Sequence, residues 1–181
     1  MTEELSQVLK VRREKLERIR EEGIEPFPWS FRRTHLSADV LESHQEAEAE
    51  GAVPEGGDSD TVRVAGRVLS WRGHGKSAFA HIEDGGGRIQ LYFRLNVLGE
   101  ERFRLLELLD LGDWIGVSGP AFRTRTGEVT VRVEEWELLS KSLRPLPMGK
   151  EEKDPETGER IVHSGFTNRE ARYRQRYADL A

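Results

Sequence analysis

The fold is decided by residues 61–94, TVRVAGRVLSWRGHGKSAFAHIEDGGGRIQLYFR, in which apolar and polar side chains alternate. Alternation with a period of two is typical of β-strands that bury one face. The pattern predicts three strands, at 61–71, 76–83 and 88–94. Gly66 interrupts the first strand, where a bend or bulge would fit. Residues 84–87 (DGGG) predict a hairpin turn between the second and third strands.

The residues that follow complete a recognisable order of elements. Residues 99–109 have helical periodicity, with Phe103 and Leu106 facing inward. Alternation returns at 114–122 and at 128–138, which predicts two more strands. Three strands, a helix and two strands are the order of the OB-fold, a five-stranded Greek-key barrel that binds single-stranded nucleic acid on its second and third strands.

The residues before the barrel predict helices. Apolar residues recur at helical spacing over 3–22, and Gly23 and Pro26 would end that amphipathic helix. We expect it to pack on its own domain or on a partner; alternatively its cations contact phosphate, namely Arg12, Arg13, Lys15, Arg18 and Arg20. A second short helix is predicted at 38–49, capped by Ser37. The expected class is mainly β with flanking helices, divided into a helical extension (1–60), an OB domain (61–147) and a polar linker (148–181).

The composition excludes several classes of protein and site. The chain has 181 residues and no cysteine, which excludes disulfides, thiolate metal sites and cysteine nucleophiles. It contains no apolar run near the ~20 residues of a membrane span, and its acidic N-terminus does not resemble a secretory signal. A cytoplasmic protein without membrane partners is therefore expected.

The net charge of −5 is concentrated in one segment. Residues 37–60 contain 8 Asp and Glu and no Lys or Arg, so the rest of the chain is slightly basic. An acidic total therefore does not exclude a nucleic-acid partner. The simplest interpretation of the segment is a solvated face, and its role is open.

Strand alternation assigns faces to the side chains. In the second strand Ala78, Ala80 and Ile82 form the core row, which leaves Phe79, His81 and Glu83 outward. In the later strands the outward side chains are Arg88, Gln90, Tyr92 and Arg94, and then Glu128, Thr130 and Arg132. A ring can stack on an unpaired base, an amide and a carboxylate can pair with a base edge, and Arg72, Lys76, Arg88 and Arg94 can neutralise phosphates. Alternatively, the N-terminal helix covers Phe79, and Gln90 only keeps the sheet soluble.

Several stretches resemble the anticodon-binding OB domain of the class II lysyl-tRNA synthetases. They are VAGRVLSWRGHGKSAFAHIEDGGGRIQLYF (64–93), LDLGDWIGVSGPAFRTRTGEVTVRVEEWELLSKSLRPLP (109–147), RREKLERIREEGIEPFPWSFRRTH (12–35) and ARYRQRYADL (171–180). The motifs TGE, SLRPLP and RYRQRY occur in the order that resembles the lysine enzymes rather than their aspartate and asparagine relatives.

The resemblance implies roles for individual residues. It places the family's stacking aromatic at Phe79 and the glutamine that reads the central uridine at Gln90. It places the glutamate that helps to select the lysine anticodon at Glu128, and an arginine at the end of the first strand at Arg72. His81, Lys76 and Arg94 are expected to be supporting contacts.

The resemblance also implies what this chain does not do. Lysine–tRNA ligases use ATP and Mg²⁺ in a catalytic domain with three motifs, and the sequence stops at Ala181 before them. The five histidines lack metal-ligand spacing, and no phosphate-binding loop or catalytic triad is indicated. We therefore expect a piece of a dimeric synthetase that binds the anticodon loop of lysine tRNA but is inactive alone and uses no cofactor. A free-standing OB module for single-stranded nucleic acid, or a partner-docking module, are the alternatives.

Overall fold

The computed structural model describes residues 2–54, 57–144, 150–153 and 160–163, in two units of 1–143 and 144–181. In the second unit, β7 (Lys150–Lys153) and β8 (Arg160–His163) pair antiparallel, with Lys150 opposite His163. The segment 171–180, which carries part of the family resemblance, lies outside the described residues. The predicted boundaries at 60/61 and 147/148 stay predictions.

In the first unit two helices precede three strands, and short helices separate those strands from the later ones, as the sequence predicts. The helices are α1 (Thr2–Glu21), α2 (Ser37–Ala49), α3 (Leu95–Leu98) and α4 (Glu100–Arg104), with a 3₁₀ helix at Leu105–Leu108. The strands are β1 (Asp58–His74), β2 (Ser77–Asp84), β3 (Gly87–Arg94), β4 (Trp114–Arg123), β5 (Val129–Val133) and β6 (Glu135–Ser140).

The six strands form one sheet, in the order β1-β2-β3-β5-β4-β6. The long strand β1 also pairs with β4, because its first half lies beside β4 and its second half beside β2. Among the strand pairs that the structure describes, β3–β5 alone is parallel. The core lies between these strands and is lined by Val64, Ile82, Leu91 and Phe93, which are almost completely buried. The alternating pattern of the strands therefore predicts the inward row correctly.

The predicted fifth strand, 128–138, is two strands, so the sheet has six strands rather than five. Ala121 lies opposite Val131, but Ser118 lies opposite Glu135, which leaves one extra residue on the β5–β6 side. Such a bulge moves the buried side chains from odd-numbered to even-numbered positions. Within β5 and β6, Val133 is accordingly the last buried odd-numbered residue, and the even-numbered Trp136 and Leu138 are buried after it.

Three further expectations need local correction. The single helix predicted at 99–109 is α4 followed by a 3₁₀ helix, and another short helix, α3, precedes it across Gly99, whose φ is a positive 79°. β1 continues through Gly66, and its register shift lies between Val68 and Ser70. Ser37 does not cap α2: the N-cap is Leu36, whose N–H donates to Asp39.

The N-terminal helix packs on its own domain through one face. Leu16 and Ile19 are buried against the rest of the domain. Arg12 donates to the carbonyls of Ser142 (2.6 Å) and Leu111 (2.9 Å). Arg13, Arg18 and Arg20 are exposed. Of the five cations of this helix, Arg12 and Lys15 therefore pack on the domain.

A buried ionic cluster, formed by Lys141, Asp110, Asp113 and Lys15, joins α1 to the residues just before β4 and just after β6. The Lys141 side chain is 0% exposed and donates to Leu108 O (2.9 Å), Asp110 Oδ2 (2.5 Å) and Asp113 Oδ2 (2.7 Å). These three acceptors match the three N–H donors of an ammonium group. Lys15 Nζ lies 2.7 Å from Asp110 Oδ1. Burial raises the pKa of Asp110, but hydrogen bonds from Lys141 and Lys15 outweigh it, so that pKa lies below its usual value.

Candidate nucleic-acid interface

The outer face of β1, β2, β3 and β5 carries two parallel rows of side chains. Residues directly opposite each other on paired strands share a face, so the register defines the rows. The aromatic row is Arg72, Phe79, Tyr92 and Arg132, and the polar row is Ser70, His81, Gln90 and Thr130. Sequence alternation placed the members from β2, β3 and β5 outward, and it assigned no face to Arg72 or Ser70 of β1.

The aromatic row is a partly exposed strip of stacked rings. Phe79 and Tyr92 are 4.5 Å apart between ring centroids, at an interplanar angle of 16°. The Tyr92 ring lies 6.1 Å from that of Phe122, and the Arg132 guanidinium lies 4.7 Å from the Phe122 centroid. Phe79 remains partly exposed. Described side chains of α1 donate hydrogen bonds to Leu109, Asp110, Leu111 and Ser142, none of which belongs to either row.

The polar row is joined by hydrogen bonds to Glu128, which comes from the turn between β4 and β5. Gln90 Nε2 donates to Glu128 Oε2 (2.7 Å), and His81 Nε2 lies 2.9 Å from Glu128 Oε1. The Thr130 hydroxyl donates to Gln90 Oε1 (2.9 Å). We call His81, Gln90, Glu128 and Thr130 the reading cluster.

Burial differs sharply within the reading cluster. Gln90 lies on the outer face, as alternation predicts, but it is only 5% exposed, because Thr130, Glu128 and His81 surround its amide. The Glu128 side chain is 46% exposed. A carboxylate has about four lone-pair sites, so an exposed one that already accepts two hydrogen bonds can accept more. The cluster therefore presents a carboxylate to solvent above a buried, oriented amide.

The predicted cations lie around these rows. Arg72 is exposed and is the cross-strand neighbour of Phe79. Lys76 is exposed in the turn between β1 and β2, and Arg94 is opposite Ser77, one row beyond Phe79. Arg88 pairs with Glu83 at 3.2 Å. The structure thus brings Phe79, Gln90, Glu128, His81 and Arg72 together on one face, as the sequence predicts, with Lys76 and Arg94 towards the β1–β2 turn.

Sequence reasoning missed several residues of this face. Tyr92, Thr130 and Arg132 were recognised as outward but given no part, although their alternation was the available signal. Phe122 and Ser70 gave no clear signal, because the register that brings them beside Tyr92 and His81 depends on strand pairing.

Two features that would indicate other functions are absent from the described residues. Within these residues, no helix is long and apolar enough to cross a membrane. No group of three or more His, Asp or Glu side chains in the described part of the chain is arranged to hold a metal ion.

Comparison with known proteins agrees with the fold. Residues 62–139 match the tRNA anticodon family described as an OB-fold nucleic acid binding domain. Over 178 residues, 98% of this chain, the sequence is 44% identical to the lysine–tRNA ligase of Carboxydothermus hydrogenoformans and 46% identical to that of Pelotomaculum thermopropionicum. The chain is a homologue of the lysine–tRNA ligases and carries an anticodon-binding OB domain.

The homology covers part of each ligase. The chain spans about a third of the length of the lysine–tRNA ligases that it matches: 32% of the Carboxydothermus protein and 31% of the Pelotomaculum protein. All the predicted site residues, from Arg72 to Glu128, lie inside the matched OB domain at 62–139. The aromatic row and the reading cluster are therefore features of a tRNA-binding domain.

Proposed function

We propose that this chain recognises the anticodon loop of lysine tRNA on the outer face of β1, β2, β3 and β5. Phe79 stacks on an unpaired anticodon base, and Gln90 with Glu128 reads the central uridine. Arg72, Lys76 and Arg94 neutralise nearby phosphates, and His81 supports Glu128. The observation that carries the proposal is the hydrogen-bonded reading cluster one row from the Phe79 ring.

Ring stacking would supply affinity that depends little on sequence. A base stacked on an aromatic side chain contributes ~1–3 kcal/mol, because every base has a π face. Phe79 is already stacked on Tyr92, so its position is fixed by a second ring before RNA binds. A preorganised ring loses less conformational entropy on binding.

The orientation of the Gln90 amide would supply the base preference. The Thr130 hydroxyl donates to Gln90 Oε1, so the NH₂ group points towards Glu128 and the open side of the cluster. A donor at that place suits the O4 acceptor of a pyrimidine such as uracil, whereas cytosine presents an amino donor there. Glu128 accepts hydrogen bonds, so it suits the N3–H of uracil. Because Gln90 and Glu128 pair with each other in the free protein, the base takes over one contact of each.

The test is a binding titration of the 181-residue chain with an RNA hairpin that carries the lysine anticodon loop. A second hairpin has its central uridine replaced by cytidine. The wild type is expected to prefer uridine, and Gln90→Ala is expected to lose ~1–3 kcal/mol of that preference, the value of one discriminating base contact. Gln45→Ala removes an exposed amide on α2 and is the matched control.

Two outcomes would favour other functions. If the wild type binds both hairpins equally while added salt weakens binding, the chain is a single-stranded nucleic-acid module without anticodon choice. If neither hairpin binds, a partner-docking module is the better explanation. Equal losses for both hairpins in Gln90→Ala would contradict the reading role of that amide.

The wider context is part of the same proposal. In a complete lysine–tRNA ligase, ATP and Mg²⁺ would be used outside these 181 residues, so this chain would need no cofactor to bind RNA and would not aminoacylate. We propose a cytoplasmic location and a homodimeric parent enzyme.

A further inference from the structure

Helix α2 lies in the acidic segment that the sequence left without a role, and both of its ends are attached to turns of the sheet. At its first residue, the Ser37 N–H donates to Asp84 Oδ2 (2.8 Å) in the β2–β3 hairpin. Near its last residue, the Glu48 carboxylate binds Arg123 at the end of β4. Val40, between them, is 1% exposed and belongs to the core. The helix is therefore fixed to the two turns that flank the reading cluster.

The Glu48–Arg123 contact is a fork of three hydrogen bonds. Arg123 Nε lies 3.0 Å from both Glu48 oxygens, and the terminal nitrogen Nη2 lies 2.5 Å from Oε2. Bidentate pairs of this kind fix geometry as well as charge. Hydrogen bonding from Arg123 lowers the pKa of Glu48 despite partial desolvation, so the carboxylate is ionised at neutral pH.

The other end of the same guanidinium holds the β4–β5 turn. Arg123 Nη1 donates to Gly127 O (2.7 Å), the carbonyl that immediately precedes Glu128. Gly127 has a positive φ of 89°, and Thr124 Oγ1 accepts from Glu128 N (3.1 Å), so this short turn determines where Glu128 leaves the backbone. A continuous set of hydrogen bonds thus runs from Glu48 to the residue beside Gln90.

We propose that Glu48 is a positioning residue for base selection, which acts through Arg123 and Gly127 to set the place of Glu128 relative to Gln90. This inference rests on the proposed function of the reading cluster. Glu48 itself does not touch RNA, so its loss changes selectivity more than affinity. The acidic helix then has a specific task at its C-terminal end, beyond that of a solvated surface.

The test is the change Glu48→Gln, which keeps the volume and removes the charge. The preference for the uridine hairpin over the cytidine hairpin is expected to fall about threefold to tenfold. The backbone amide resonances of Gly127 and Glu128 are expected to shift in the ¹H–¹⁵N spectrum of the free protein. Glu46→Gln, at an exposed position of the same helix, should change neither.

A second variant separates positioning from general stability. Arg123→Lys keeps the positive charge but cannot hold Glu48 as a fork and Gly127 O at the same time. It should reproduce the loss of selectivity, with a thermal midpoint close to that of Glu48→Gln. Glu48→Asp, which retains a carboxylate, should restore part of the preference.

The outcomes distinguish this inference from the proposed function. If the wild type prefers uridine and Glu48→Gln keeps both the preference and the two resonances, the positioning role is overturned. If the wild type has no preference, the proposed function fails. The Gly127 and Glu128 amide shifts in Glu48→Gln then test by themselves whether Glu48 positions the Glu128 turn. Unshifted Gly127 and Glu128 amides would reject it in that case too.

Discussion

The buried ionic cluster around Lys141 and the reading cluster around Glu128 are built from similar polar groups but differ in exposure. Lys141 and Asp113 have side chains that are 0% exposed, and all three ammonium donors of Lys141 are used. Glu128 is 46% exposed and still has capacity to accept hydrogen bonds. Burial and saturation of hydrogen bonds therefore distinguish a structural cluster from one able to exchange partners with a ligand.

The largest expected effect is in the buried cluster. Lys141→Met would leave Asp113 buried without its cation and should lower the free energy of unfolding by ~3–5 kcal/mol. Urea denaturation measures this change. Glu128→Ala should change the same quantity by less than about 1 kcal/mol, because its contacts are partly solvated. Equal losses for the two variants would mean that the two clusters do not differ as described.

A smaller effect is expected in RNA binding from the aromatic row. Phe79→Ala should weaken binding of the anticodon-loop hairpin by ~1–3 kcal/mol through lost stacking, for both the uridine and cytidine forms. Phe27→Ala, at an exposed ring before α2, is the matched control and should leave affinity unchanged. A filter-binding titration in which Phe79→Ala retains full affinity would remove this ring from the interface.

The smallest effect is the pH dependence of the buried cluster. Because the pKa of Asp110 is lowered in the folded state, its ionised form stabilises the fold above the unfolded pKa, near 3.8. That contribution is lost as the pH falls through the folded pKa. The difference in unfolding free energy between the wild type and Asp110→Asn should therefore be constant above about pH 5 and shrink below about pH 4. A difference that does not change over this range would contradict the assigned pairing.

The sequence was sufficient for most of the sheet because strands bury alternate residues. The rows at Ala78, Ala80 and Ile82, and the outward position of Phe79 and Gln90, follow from that period alone. It was insufficient where one residue changes the register, as between β5 and β6, because a bulge leaves no strong local pattern. The change from α4 to a 3₁₀ helix at Leu105 was missed for a similar reason, since the apolar spacing continues across it.

The candidate site shows the same division. Alternation predicted that Gln90 and Glu128 share a face, and the family resemblance implied a role for each. Neither predicted that Gln90 is almost completely buried or that Arg123 links Glu48 to the Glu128 turn. These contacts join residues 38 and 75 positions apart, so no local spacing could indicate them.

The order of the elements, the inward and outward faces of the strands and the kind of chemistry on the outer face are all encoded in the local amino-acid pattern. Those properties depend on neighbours within a few residues. The local pattern does not specify which outward groups touch, which charges are buried or which turn α2 holds. Those properties depend on strand register and helix docking, which bring together side chains that are distant along the chain.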